Sequence, residues 1–165
     1  MEIKKIITMS MLLAISVVLS ILESFIPIFS GIIVGVKLGL ANIVIIYVLY
    51  KYSFKDALYI TVLRVILVGL LRTGLFSITF LFSLSGAIIS IIMMSLFKLT
   101  KLSIVGVSVI GSISHVIGQL LIACFLLHIS LFMLLKFYLP YLIIIACVTG
   151  FIIGLISREI IKEVD

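Results

Sequence analysis

Residues 103–127, SIVGVSVIGSISHVIGQLLIACFLL, contain no Asp, Glu, Lys or Arg. The run is longer than the roughly 20 apolar residues that cross the hydrocarbon core of a bilayer as a helix. Its polar members, Ser108, Ser112, His115 and Gln119, recur at three- and four-residue spacing, so a helix gathers them on one face. The segment reads as a membrane-spanning helix with an apolar exterior and one polar stripe turned inward.

The rest of the chain repeats this pattern. Of 165 residues, 65% are hydrophobic and 11% charged, and the mean hydropathy is +1.57. A water-soluble domain of this length needs far more charge to cover its surface, whereas a lipid-facing one does not. Breaks in the apolar runs delimit spans at about 6–26, 38–50, 55–72, 76–98, 103–127 and 137–157. The expectation is a single all-α integral membrane domain over 1–165, a compact bundle of about six transmembrane helices. Met1 to Lys5 and the following apolar run resemble a signal peptide, but the run continues to Pro27 without a small-residue cleavage pattern. It reads as a retained first helix.

Counting Lys and Arg at the ends of the spans gives the orientation, because cytoplasmic loops retain positive charge. Lys4, Lys5, Lys51, Lys55, Lys98, Lys101, Arg158 and Lys162 fall on one side; Lys37, Arg72 and Lys136 fall on the other. The first set is expected inside, with both termini cytoplasmic in the cytoplasmic membrane. The net charge of +6 does not indicate nucleic acid, since the cations are scattered and form no basic stripe. Cys124 and Cys147 lie in apolar runs without CxxC spacing and read as small core residues. His115 and His128, thirteen positions apart with no carboxylate or thiolate cluster, do not make a metal site.

Small and polar residues also share faces elsewhere: Ser16, Ser20 and Glu23 in the first span, and Thr79, Ser83, Gly86 and Ser90 in the fourth. All are expected to point inward, and close helix packing accounts for most of them. The pairs Gly150/Gly154 and Gly35/Gly39 have the spacing of close helix contacts as well. Packing does not account for Arg64, near the middle of the third span, where an ionised side chain costs about 3 kcal/mol or more. Glu23, Lys37, Asn42, His115 and Gln119 are expected in the same half of the bundle, and Gly118 leaves space between the last two. Together they suit recognition of a small polar or anionic molecule in an apolar cavity, with no covalent step and no cofactor. An internal network, Glu23 neutralising Arg64 or Lys37 with His115 and Gln119 bonding between helices, explains the same residues. Arg72, Lys136 and His128 read as anchors at the membrane interface.

Several of these residues lie in recognisable blocks: Glu23-Ser24, the segment Val36-Lys37-Leu38-Gly39-Leu40-Ala41-Asn42-Ile43, Leu63-Arg64-Val65, Thr73-Gly74-Leu75-Phe76-Ser77, Ser85-Gly86, and Ser114-His115-Val116-Ile117-Gly118-Gln119-Leu120. With them the chain resembles, over nearly its whole length, the Gx transporter family, whose members often carry the label heptaprenyl diphosphate synthase component I. The resemblance implies a fold like that of the substrate-binding S components of energy-coupling factor (ECF) transporters. Those take up vitamins or similar solutes with a membrane coupling subunit and two cytoplasmic ATPases. It also implies that a small-residue pattern on the first helix meets the coupling subunit, and Ser10-x-x-x-Ala14 is the nearest counterpart. The chain has no GxxxxGK[ST] loop, so ATP would be hydrolysed by the partners.

The synthase label is chemically testable. Prenyl diphosphate synthesis needs clustered carboxylates to hold magnesium against diphosphate. Here Asp56, Asp165, Glu2, Glu23, Glu159 and Glu163 are scattered or terminal, with no DDxxD-like cluster. The chain is therefore expected to be no enzyme. A structural membrane subunit that scaffolds, or delivers lipid to, isoprenoid, quinone or electron-transfer machinery is the alternative to transport. A channel is disfavoured because no ring of charges or carbonyl-rich filter sequence is present.

Overall fold

The computed structural model describes residues 2–25, 39–100, 102–128, 132 and 134–164. Six α-helices occur among them: α1 (Glu2–Glu23), α2 (Asn42–Lys51), α3 (Phe54–Val68), α4 (Ile78–Leu99), α5 (Ile104–Leu127) and α6 (Leu139–Glu163). Two π-helical segments, Gly69–Thr73 after α3 and Leu134–Tyr138 before α6, extend the helices they adjoin. The described chain is all-helical. Four stretches are long and apolar enough to cross a membrane: Ile3–Glu23, Ile78–Leu99, Ile104–Leu126 and Lys136–Glu163.

Three helices start by the same local device. Ser53, Ser77 and Ser103 each accept a hydrogen bond from the backbone N–H three residues on, at 3.2, 3.1 and 3.1 Å. Ser53 also donates to the Asp56 carboxylate at 2.7 Å. The π segment before α6 has a steric reason, because the ring of Pro140 in the first turn cannot accept a regular α-helical backbone four residues earlier.

The helices close into a ring: α4 packs on α5, α5 on α6, α6 on α2, α2 on α1 and α3, and α3 on α4. Within it α2 is buried on several sides through Val44, Ile45, Ile46, Val48 and Leu49. The main apolar core forms around α2, with Ile60 of α3, Ile91 and Met94 of α4, Val107 of α5 and Ile153 of α6. At about 1.5 Å rise per residue, its 10 residues extend roughly 15 Å, half a bilayer core. The C-terminal end of α2 is closed by Lys98 of α4, whose Nζ donates to the Leu49 carbonyl at 2.6 Å and lies over the Tyr50 ring.

Small residues set the tightest helix contacts. On α4 and α5, Ser90 Oγ donates to the Gly111 carbonyl at 2.8 Å and Ser85 Oγ to that of Gly118 at 3.1 Å. A Cβ on Gly118 would lie 2.9 Å from the Gly86 Cα. On α6, a Cβ on Gly150 would lie 2.8 Å from Val109 Cα, and one on Gly154 would lie 2.7 Å from Val105 Cα. Both faces of α5 are therefore in near-backbone contact with a neighbour. Thr79 departs from the expected inward stripe of α4 and is exposed. It lies in the first turn, where the adjacent Phe80 is the residue that turns inward. Gly35 lies outside the described residues.

Candidate functional site

The end of α1, the start of α2, the second half of α3, the first half of α4, the second half of α5 and the start of α6 surround one cavity of about 100 Å³. Glu23, Asn42, Arg64, His115 and Gln119, drawn from four helices, all line it. Lys37, the sixth residue singled out from sequence, lies outside the described residues.

Arg64 is 7% exposed. Its Nη1 donates to Asn42 Oδ1 at 3.3 Å, a long bond, and a guanidinium has five N–H donors to satisfy. Among the described residues it has no other hydrogen-bond partner and takes part in no ion pair. Glu23 is 6% exposed and accepts from the backbone N–H of Gly39. Gly39 adopts φ 82°, a left-handed conformation that suits glycine. The Glu23 carboxylate and the Arg64 guanidinium line the same cavity.

His115 is fixed by close approach. A Cβ on Gly86 would lie 2.8 Å from the His115 carbonyl oxygen and 3.0 Å from its ring, so the absence of a side chain at 86 admits the imidazole. Gln119, one turn further on, lines the cavity with its amide unbonded among the described residues. Ser20, Ser83 and Ser112 belong to the small-residue stripes and also face the cavity.

The apolar wall could not be picked out from sequence. Val65, Val68, Gly69, Phe80, Leu142, Ile145, Ala146 and, with a hydroxyl, Thr149 belong to the lining as well. Gly69 opens the π segment, and a Cβ there would lie 2.6 Å from the Phe80 ring, so glycine permits the backbone to meet that ring. On α6 the signal was present in spacing: 142, 145, 146 and 149 recur on one helical face, but without an ionisable residue to mark it.

The other sequence candidates lie elsewhere. Ser10 and Ala14 are exposed on α1; Ser10 borders a separate apolar hollow between α1 and α3, near the Lys5–Asp56 ion pair of 2.8 Å. At the cavity end, Arg72 donates to the Ser24 carbonyl at 3.1 Å and lies over the Phe25 ring, linking α1 to the π segment. Lys136 lies over Phe132 and Phe137. His128 is exposed and ends α5 in a left-handed conformation. Cys124 and Cys147 are half-buried free thiols.

No curated protein and no solved structure matches the chain. The family model for heptaprenyl diphosphate synthase component I matches residues 12–160, which include all five cavity residues Glu23, Asn42, Arg64, His115 and Gln119. With that match spanning nearly the full sequence, the chain belongs to the heptaprenyl diphosphate synthase component I family, the family already indicated by the Lys37–Asn42 and His115–Gln119 blocks.

Proposed function

We propose that this protein is the solute-binding membrane subunit of an uptake system, similar in role to an ECF S component. It captures a small vitamin-like, anionic or amphipathic solute in the cavity and depends on a membrane coupling subunit and two cytoplasmic ATPases for energy. In this reading six helices span the cytoplasmic membrane, α2 and α3 included, and both termini are cytoplasmic. Glu23, Asn42, Arg64, His115 and Gln119 contact the solute, with Lys37 joining them, while Ser10 and Ala14 face the coupling subunit.

The observation that carries this is the state of Arg64. A guanidinium enclosed in a membrane bundle with one long hydrogen bond is energetically costly, because buried charge is tolerated where its partners are complete. The same residue faces a cavity ringed by amides and hydroxyls, which is the form of a site awaiting a ligand's acceptors. The test is native mass spectrometry of the protein extracted gently from its own membrane, alongside uptake measured in cells. Wild-type protein should retain a small molecule, co-isolate with ATPases and support ATP-dependent uptake. A correctly folded Arg64→Ala variant that retained the same molecule and the same uptake would refute the site.

The family name favours a second reading, a non-catalytic membrane subunit that scaffolds or delivers lipid for heptaprenyl diphosphate machinery. A chain of seven isoprene units is much larger than the cavity, so in that reading the lipid would lie against the outer helix faces. A stable complex with prenyl-transfer enzymes and an empty cavity on extraction would decide for it.

A further inference from the structure

Along α1, Ile6, Met9, Ser10 and Leu13 recur at three- and four-residue spacing, and along α3 so do Asp56, Tyr59, Ile60 and Leu63, so each set shares one helical face. The two faces meet around a hollow of about 410 Å³ that shares no lining residue with the Arg64 cavity. Charge closes one end of it, where Lys5 and Asp56 pair at 2.8 Å. Beyond that pair the walls are apolar apart from the Ser10 hydroxyl and the Tyr59 phenol. Ile6, Tyr59 and Leu63 are exposed, so the hollow opens sideways, away from the bundle.

In a membrane such an opening faces lipid, and depth decides which part of a lipid it meets. From Lys5 to Glu23 α1 rises about 27 Å, close to the roughly 30 Å of a bilayer's hydrocarbon core, which puts Lys5 at one boundary. From Lys5 to Leu13 the rise is about 12 Å, most of the roughly 15 Å that the chains of one leaflet occupy. The hollow therefore begins at headgroup level and has the length of a lipid chain. At its headgroup end Lys4, Lys5 and Lys55 face only the carboxylates of Asp56 and Glu2 in the two helix starts, so cations are in excess. An ammonium has three N–H donors; the ion pair uses one, and the Lys5 side chain is still 47% exposed. The Asp56 carboxylate is the more enclosed partner, 17% exposed and held by Lys5 and the Ser53 hydroxyl. Tyr59, about one turn deeper, offers the ring with a polar tip that suits the boundary between headgroups and chains.

We propose that this hollow binds an anionic phospholipid of the adjoining leaflet, its phosphate on Lys5 and one acyl chain lying between α1 and α3 along Met9, Leu13 and Leu63. The inference needs the helices to span a bilayer and does not need the Arg64 cavity to bind a solute. Any lipid chain can fill an apolar groove; what Lys5 adds is a preference among headgroups, and one lysine near an anionic surface is worth about fivefold in binding. Ser10 borders the hollow and also belongs to the exposed face assigned above to a coupling subunit, so a lipid held here forms part of that face.

The chain contains no tryptophan, so a single introduced one reports its own surroundings. Leu63→Trp marks the hollow. Ile152→Trp marks the exposed side of α6 at matching depth, about 9 Å along the helix from Arg158 as Leu63 is about 10 Å from Asp56. Each full-length variant is placed in phosphatidylcholine vesicles with rising fractions of phosphatidylglycerol or phosphatidylcholine brominated on the acyl chains, which quenches tryptophan on contact. We expect position 63 to be half-quenched at about fivefold less brominated phosphatidylglycerol than brominated phosphatidylcholine, and position 152 at equal fractions of the two. Adding Lys5→Gln with Asp56→Asn to Leu63→Trp removes the ammonium but leaves the net charge at +6, and the preference should fall to nearly one. Equal quenching by both lipids at position 63 overturns the proposal. So does the same preference at position 152, which would mean diffuse surface charge, and so does a preference that survives the paired substitution. Displacement of the brominated lipid by stoichiometric farnesyl diphosphate would assign the hollow to a prenyl diphosphate instead. The comparison of positions 63 and 152 leaves the ion pair intact and decides alone should the paired variant fail to fold.

Discussion

At the scale of single residues, glycine positions give opposite expectations for one chemical change. Alanine at Gly86 would place a methyl 2.8 Å from the His115 carbonyl oxygen, which belongs to a packed helix backbone and cannot swing away. Gly86→Ala should therefore destabilise by about 1–3 kcal/mol and displace the imidazole from the cavity. Gly111→Ala would meet Met94 Cγ and Sδ at 2.6 Å, a flexible side chain that can turn, so its cost should be smaller. At Gly106 the nearest foreign atom is Ser103 Oγ at 3.5 Å, an ordinary contact, and alanine should be neutral or stabilise the helix by about 0.5–1 kcal/mol. Thermal unfolding of the three variants in one detergent checks the order; equal midpoints for Gly86→Ala and Gly106→Ala would contradict it. The same scale explains what was legible in the sequence. Arg64, Glu23, His115 and Gln119 stand out because polar atoms in an apolar run need a reason. Phe80, Leu142 and Ile145 line the same cavity but look, as letters, like the exposed Phe125 or Ile144.

At the scale of elements, the long helices were readable because length and hydropathy are one-dimensional properties, and α4, α5 and α6 begin within about two residues of the expected spans. What was hidden depends on neighbours. The register shift at Gly69–Thr73 is visible only once Phe80 is known to press on Gly69. The shortness of α2 reflects its place inside the ring, where protein rather than lipid surrounds it. Its last turn, with carbonyls lacking partners further along the helix, is met by a side chain from another element, Lys98. Lys98→Met would keep the side chain's length and apolar stem but remove the charge-assisted bond to Leu49, and should cost about 1–2 kcal/mol. Lys98→Arg should recover most of it. Unfolding midpoints report the effect, and an unchanged midpoint for Lys98→Met would mean that the α2 terminus is satisfied in another way.

At the scale of the whole molecule, the helix directions alternate along the chain. The Lys5–Asp56 pair joins the start of α1 to that of α3, Lys98 joins the end of α4 to that of α2, and Gly154 against Val105 sets the later half of α6 beside the start of α5. Lys4, Lys5, Lys51, Lys55, Lys98, Arg158 and Lys162 therefore gather at one end, and Arg72 and Lys136 lie at the end that holds the cavity. Cations that remain cytoplasmic orient a membrane protein, so the cavity should face outward and α3 should cross despite its Arg64. Two cysteines test both points once Cys124 and Cys147 are replaced by serine. Ser53→Cys marks the turn before α3, and Phe76→Cys marks the turn after its π extension, where the native side chain is 82% exposed. A membrane-impermeant maleimide should label position 76 in intact cells and position 53 only after permeabilisation. The reverse pattern would invert the orientation and put the cavity on the cytoplasmic side, and labelling of both positions from one side would mean that α3 enters the membrane without crossing it.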